Sequence, residues 1–137
     1  MKVLVFGSNG LVGSSLKRHL SDDKRFECFF STRKDTNLFS FEDTKNRIQD
    51  FAPNLIINAA AKVGGIHANN TEGSSFLIEN LKININILES IISSPNIKLI
   101  NLGSSCIYPL NASNPIKEES FMTGELEPTN SPYAMAK

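Results

Sequence analysis

Tyr133 and Lys137 stand four residues apart, directly after Ser131-Pro132. Serine then proline is a helix-start pair, with Ser131 expected as N-cap and Pro132 in the tolerated first position. At helical spacing the tyrosine and the lysine share a face one turn apart. A nearby ammonium stabilises the phenolate and lowers a tyrosine pKa from its ordinary value near ~10. Tyr133 is therefore a candidate proton donor to a carbonyl oxygen that receives hydride. Ser104, just beyond the apolar run Lys98 to Leu102, could hold the same oxygen by a hydrogen bond. Tyr-x-x-x-Lys by itself is common by chance, so its weight comes from what lies upstream.

Upstream, Gly7, Gly10 and Gly13 follow at once on the apolar, β-branched run Lys2 to Phe6, and Leu11 to Leu20 then repeats apolar residues at helical spacing. Strand, glycine turn and helix in that order is the context that gives a glycine motif meaning. Gly7 allows the tight turn off the strand, Gly10 lets a pyrophosphate approach the backbone, and Gly13 lets the helix pack on the strand. The free N–H groups of the helix N-terminus then face the phosphates.

The remaining elements must position these groups. Phe26 to Ser31 reads as a second strand, followed by Thr32-Arg33-Lys34-Asp35, where a doubly wound dinucleotide domain meets the adenosine ribose. An acidic residue directly at the strand end would favour a 2′-hydroxyl; here Arg33 and Lys34 come first and suit a 2′-phosphate, which points to NADP with Arg33 as the clamp. Asn37-Leu38-Phe39 reads as a short strand or an adenine-side loop. Ser40 to Asp43 resembles a capping box opening a helix over Phe41 to Phe51, which Pro53 stops. Leu55 to Asn58 is the next buried strand, and Ala59-Ala60-Ala61 leaves room for a ligand at its carboxyl end. Lys62 to Ile66 is expected as a flexible loop. From about Asn69 to Ser93 the alternation Ile83-Asn84-Ile85-Asn86-Ile87 looks strand-like, but Phe76, Leu77, Asn80, Leu81, Leu88, Ile91 and Ile92 extend helical spacing too far. The segment is expected as a helix that buries two faces, one of them against a partner subunit. Pro95 ends it, Lys98 to Leu102 is a further strand, and a polar loop runs to Asn130. The fold expected is α/β, a doubly wound parallel sheet of about five strands.

Bulk properties exclude several classes. The chain has 137 residues, 40% hydrophobic and 20% charged, with 14 basic and 14 acidic side chains. This suits one soluble domain and gives no electrostatic reason to expect nucleic acid or anionic membrane as partner. No apolar run approaches the ~20 residues of a membrane span, and no signal-peptide pattern opens the chain. Cys28 and Cys106 have no disulfide or metal-ligand spacing, so a reduced, cytoplasmic protein without a metal site is expected.

The sequence resembles the extended short-chain dehydrogenases/reductases, and among them the GDP-L-fucose synthases. The residues that carry the resemblance are Ala59 to Ile66, Asn69-Asn70-Thr71, Leu102 to Pro109 (Leu-Gly-Ser-Ser-Cys-Ile-Tyr-Pro) and Leu126 to Ala134. The family turns GDP-4-keto-6-deoxy-mannose into GDP-L-fucose with NADPH. The resemblance implies a GDP-sugar substrate, a homodimer, and Cys106 as one member of the pair that moves protons at the carbons beside the ketone. Turn, strand ends and resemblance together give the expected cofactor-binding residues as Gly7, Ser8, Asn9, Gly10, Leu11, Val12, Gly13, Arg33, Asn37, Leu38, Ala60, Leu102, Gly103, Ser104, Ser105 and Lys137. The expected catalytic residues are Ser104, Cys106, Tyr133 and Lys137.

One departure accompanies the resemblance. The family's second acid/base residue is a histidine downstream of Tyr-x-x-x-Lys, whereas His19 and His67 both lie upstream. The chain reads as the N-terminal, NADP-binding part of such an enzyme, with the sheet incomplete on its C-terminal side, the edge at Lys98 to Leu102 open, and the last helix only about six residues long. Alone it is expected to be inactive. The rival expectations are another NADP-linked sugar-nucleotide epimerase or dehydratase, and a non-catalytic nucleotide-binding remnant.

Overall fold

The computed structural model describes all 137 residues. In chain order they form β1 (Lys2–Phe6), α1 (Leu11–Leu20), β2 (Glu27–Ser31), α2 (Phe41–Phe51), β3 (Leu55–Asn58), α3 (Ile66–Thr71), α4 (Gly73–Ile91), β4 (Lys98–Asn101), two 3-10 turns (Ser105–Ile107 and Glu118–Ser120) and α5 (Ser131–Met135). They divide into two compact units, Met1–Ala61 with Lys82–Leu102, and Lys62–Leu81 with Gly103–Lys137.

The first unit is built on a parallel sheet in the order β2-β1-β3-β4. Successive side chains of a strand point to opposite faces, so the apolar run of β1 serves two cores at once. Leu4 and Phe6 join Ile56, Ile48 of α2, and Ile83 and Ile87 of α4. Val3 and Val5 join Ile57, with Leu16 of α1 packed against them. Helices thus cover both faces, the doubly wound arrangement, and each such side chain contributes on the order of 1.5–3 kcal/mol by leaving water. The register pairs Val5 with Phe30 and with Ile57, and Ile57 with Ile100, which brings the carboxyl ends of the strands together. Four strands form, not five. Asn37 to Phe39 is a loop, tied by the Asn86 amide donating to Leu38 O at 2.8 Å and by Asn37 Oδ1 accepting from the Phe39 N–H at 3.1 Å. β4 has a neighbour only in β3 and is an edge strand.

Three expectations of the sequence need correction. The helix expected from Asn69 to Ser93 is two helices, α3 and α4, divided at Glu72, whose φ of −119° and ψ of 26° leave the helical region. The loop expected through Ile66 ends at Gly65, because α3 begins there, and Asn69 closes on it by donating to Gly64 O and Gly65 O. Ser131 is the first residue of α5 and not its N-cap; Asn130 holds the cap position without a side-chain bond to the helix backbone, and the helix ends at Met135. Ser131 gives its hydroxyl to Pro128 O at 3.5 Å instead.

In the second unit the packing centre is Phe76, 2% exposed. Asn80, equally buried, accepts from the Lys62 N–H at 2.9 Å and donates to Lys62 O at 3.0 Å, so one side chain replaces a strand partner for that residue.

Candidate functional site

The first unit holds a cleft of about 600 Å³ at the carboxyl ends of its strands, lined by Gly7, Asn9, Gly10, Thr32, Arg33, Lys34, Thr36, Asn37, Leu38, Phe39 and Ala59 to Ala61 among others. Its floor is shaped by absent side chains. Gly7 has φ +77°, and a Cβ there would come within 2.6 Å of Ala60 N; a Cβ on Gly13 would come within 2.2 Å of Gly7 O. Only glycine fits either place. Gly10 opens α1 with no side-chain cap and no acidic residue in the first turn. The orphan N–H groups of that turn are thus left for an anion from outside the chain.

A chain of polar contacts fixes this turn to the end of β2. The N–H and hydroxyl of Ser8 both donate to Ser31 O, at 3.1 and 3.0 Å, the Ser31 hydroxyl donates to Thr36 Oγ1 at 2.8 Å, and Arg47 Nε donates to the same oxygen at 3.2 Å. Asp35 folds back on Thr32, whose N–H and hydroxyl it accepts at 2.9 and 2.6 Å. Those two bonds hold its carboxyl below the usual carboxylate pKa. The acidic group of this loop is therefore occupied locally, while Arg33 and Lys34 are exposed and line the cleft. At the far strand end the buried Asn58 donates to Asn101 at 2.7 Å and to Asn84 at 3.3 Å, and accepts from the Ala60 N–H at 3.1 Å.

Of the expected cofactor residues, Gly7, Asn9, Gly10, Arg33, Asn37, Leu38 and Ala60 line this cleft. Ser8 is a strut beneath it, and Leu11, Val12, Gly13 and Leu102 lie outside its lining. Gly103, Ser104, Ser105 and Lys137 belong to the second unit. Thr36 and Asn86, which sequence reasoning did not single out, secure the loop after β2, Thr36 through Ser31 and Asn86 through Leu38 O. Asn86 was signalled only as a polar residue standing inside an otherwise apolar pattern, and Thr36, in the polar stretch Thr32 to Asn37, had no signal.

The second unit gathers all four expected catalytic residues. Ser104 caps the first 3-10 turn, its Oγ accepting the Cys106 N–H at 3.2 Å. A hydroxyl has one proton and two lone pairs, so Ser104 keeps its proton to donate elsewhere. Cys106 is half-buried, and its Sγ lies 3.4 Å from Asn130 Nδ2. α5 packs on this turn. The Tyr133 ring meets Phe76 edge-on with centroids 6.4 Å apart. Phe76 in turn lies under Lys62, whose ammonium is 5.1 Å from its centroid, and against Gly64, where a Cβ would fall 2.8 Å from the ring. Lys62 is held by Glu79 at 2.8 Å, Ser75 at 2.5 Å and Glu72 at 3.3 Å, and the Glu79 bond above all raises its pKa. Lys137 follows the end of α5, its N–H on Ala134 O at 3.1 Å, and burial lowers the pKa of its ammonium. His67 is exposed on α3, and His19, also exposed, bonds Ser15 O.

A doubly wound parallel domain with a glycine turn at the switch of its sheet is the class that fold and cleft define. Residues 3–137 match the model of the NAD dependent epimerase/dehydratase family, and the chain belongs to that family. It is 43% identical over 136 residues to GDP-L-fucose synthase 1 of Arabidopsis thaliana, covering 99% of this chain and 42% of the relative. To GDP-L-colitose synthase of Yersinia pseudotuberculosis it is 39% identical over 137 residues, covering 100% and 44%. A GDP-L-fucose synthetase from Naegleria fowleri bound to NADP superposes with a TM-score of 0.87 at 30% identity, covering 99% of this chain and 44% of that one. The chain thus spans less than half the length of these relatives.

Proposed function

We propose that this chain is the nucleotide-binding part of a cytoplasmic, NADPH-dependent enzyme that epimerises and reduces GDP-4-keto-6-deoxy-mannose to GDP-L-fucose. The observation that carries the reading is the gathering of Ser104, Cys106, Tyr133 and Lys137 in one compact unit, in a chain matched along its length by GDP-L-fucose synthases. The glycine turn would hold the pyrophosphate, Arg33 and Lys34 the 2′-phosphate, and Asn37, Leu38 and Ala60 the adenosine side. Bound NADPH supplies a hydride to the ketone carbon. Tyr133 gives the proton to the ketone oxygen, Ser104 holds that oxygen with its free hydroxyl proton, and Lys137 keeps the phenolate charge low in energy. Before that step the ketone acidifies the neighbouring C–H bonds. Cys106, as thiolate, takes a proton from one such carbon and becomes the thiol; a second acid, outside these residues, returns a proton on the opposite face.

The stripe of exposed Ile78, Leu81, Ile85 and Leu88 along α4 supports a homodimer. Its alternating three- and four-residue spacing is that of a helix–helix seam, and a stripe of this kind on two copies is self-complementary.

The test is to incubate the full-length protein with GDP-4-keto-6-deoxy-mannose and NADPH in D2O. The reading expects NADPH oxidation, deuterium beside the ketone, and GDP-L-fucose as product, with deuterium uptake abolished by Cys106→Ala. Absence of both oxidation and exchange would overturn it. The 39% identity to a GDP-L-colitose synthase favours a second reading, a reductase of a related 4-keto GDP-sugar; exchange and reduction with a 3-deoxy substrate in preference would select it.

A further inference from the structure

We propose that Asn130 is a positioning residue for Cys106, its amide N–H holding the sulfur and favouring the thiolate. The inference deepens the reading of Cys106 as a proton acceptor and rests on it. Asn130 Nδ2 points at Cys106 Sγ from 3.4 Å, and Asn130 Oδ1, on the same amide, is buried without a hydrogen-bond partner. A thiol sulfur is a weak acceptor, so with Cys106 neutral the amide N–H is poorly satisfied, while Oδ1 lacks a partner in either state of the sulfur. A thiolate is a strong acceptor, and the same geometry then makes a charge-assisted bond. The arrangement is matched to the ionised sulfur.

The backbone on either side fixes the amide in place. The Glu127 carboxylate accepts the Thr129 N–H at 3.1 Å and its hydroxyl at 2.5 Å, and the Asn130 N–H donates to Glu127 O at 3.3 Å. Asn130 O accepts the Ala134 N–H at 2.9 Å, the first helical bond of α5. On the sulfur side, the Ser104 cap fixes the Cys106 backbone. Asn130 thus joins the start of the tyrosine-bearing helix to the cysteine-bearing turn. The titratable groups that these elements carry are Tyr108 beside the turn, Tyr133 on α5, Lys137 after it, and Glu127, whose carboxylate is engaged by Thr129.

Iodoacetamide alkylation of the chain as a function of pH, read by peptide mass spectrometry, tests the pairing, with Cys28 of β2 as an internal reference. In the unsubstituted folded chain, Cys106 is expected to reach half its limiting rate at lower pH than in denaturant. Asn130→Ala should move that midpoint up by about one pH unit, a tenfold loss of thiolate at fixed pH. Asn130→Asp, with a carboxylate against the sulfur, should move it further, and Cys28 should not move in either. A Cys106 midpoint at or above its denatured value would overturn the proposal without any variant. So would an unmoved midpoint in an Asn130→Ala chain that melts like the original. Because alkylation needs no sugar substrate, loss of deuterium exchange with the midpoint shift intact would sink the functional reading and leave the pairing standing.

Discussion

In the unit of Met1–Ala61 and Lys82–Leu102, the cleft is made of backbone and of side chains that are missing. Gly7, Gly10 and Ala59 to Ala61 leave the strand ends bare, and the sheet register with the Ser8–Ser31–Thr36 contacts places them. In the unit of Lys62–Leu81 and Gly103–Lys137 the chemistry is carried by side chains, and other side chains hold them: Asn80 grips Lys62, Phe76 meets Tyr133, Asn130 holds Cys106. A regular sheet can present backbone donors cheaply, because its geometry is fixed by the whole core. A short helix of five residues and a 3-10 turn have too few backbone bonds to hold themselves, so each needs outside contacts. On the proposed function, binding is thus built into periodic structure, and proton transfer into irregular structure.

The comparison can be broken by substitutions that cross it. Tyr133→Phe in the full-length protein is the largest expected effect, a loss of roughly 10²–10⁴ in the reduction rate, with NADPH affinity unchanged in equilibrium titration. If affinity fell equally, the two regions would not divide binding from chemistry. Gly13→Val comes next. Its first carbon would lie 2.2 Å from Gly7 O, so a loss at the top of the ~1–3 kcal/mol overpacking range is expected in thermal melts, with nucleotide binding lost alongside. Arg33→Ala should leave the melt untouched and cut the NADPH over NADH preference about tenfold, the worth of one charge-assisted contact; an unchanged preference would remove Arg33 from the ribose site.

The smallest effect is a pH dependence. Thr129 holds the Glu127 carboxyl below its usual pKa, so the stability from that contact is complete above the ordinary carboxylate range and lost as pH falls through the depressed value. Asp35 and Thr32 behave alike in the other unit. Thr129→Val should lower the melting temperature slightly at neutral pH and match the original chain once both carboxyls are protonated. A difference that persists into strong acid would assign the effect to packing.

The same division governs what was legible in the sequence. β1, α1, α2 and β3 begin and end where the apolar periods and their punctuation place them, because period two and period 3.6 report directly on burial. The Ser40 cap is also plain, its hydroxyl accepting the Asp43 N–H at 3.2 Å. The division between α3 and α4, the position of Asn130 and the grip of Asn80 on Lys62 were not legible. The first rests on the backbone of Glu72, and the other two on a side chain reaching backbone or sulfur across a gap with no period: 18 positions for Lys62 and Asn80, 24 for Cys106 and Asn130. Of the site itself, the glycine turn and Arg33 could be read from residue order alone. Cys106 could not, since a lone cysteine has no pattern around it, and only the family resemblance singled it out.

The most direct test of the central claim, that the first unit holds NADP by its glycine turn and the cations after β2, is fluorescence titration of the purified chain with NADPH and NADH. The account predicts saturable binding with NADPH favoured at least about tenfold. A folded chain that binds neither nucleotide, or both equally, would contradict it.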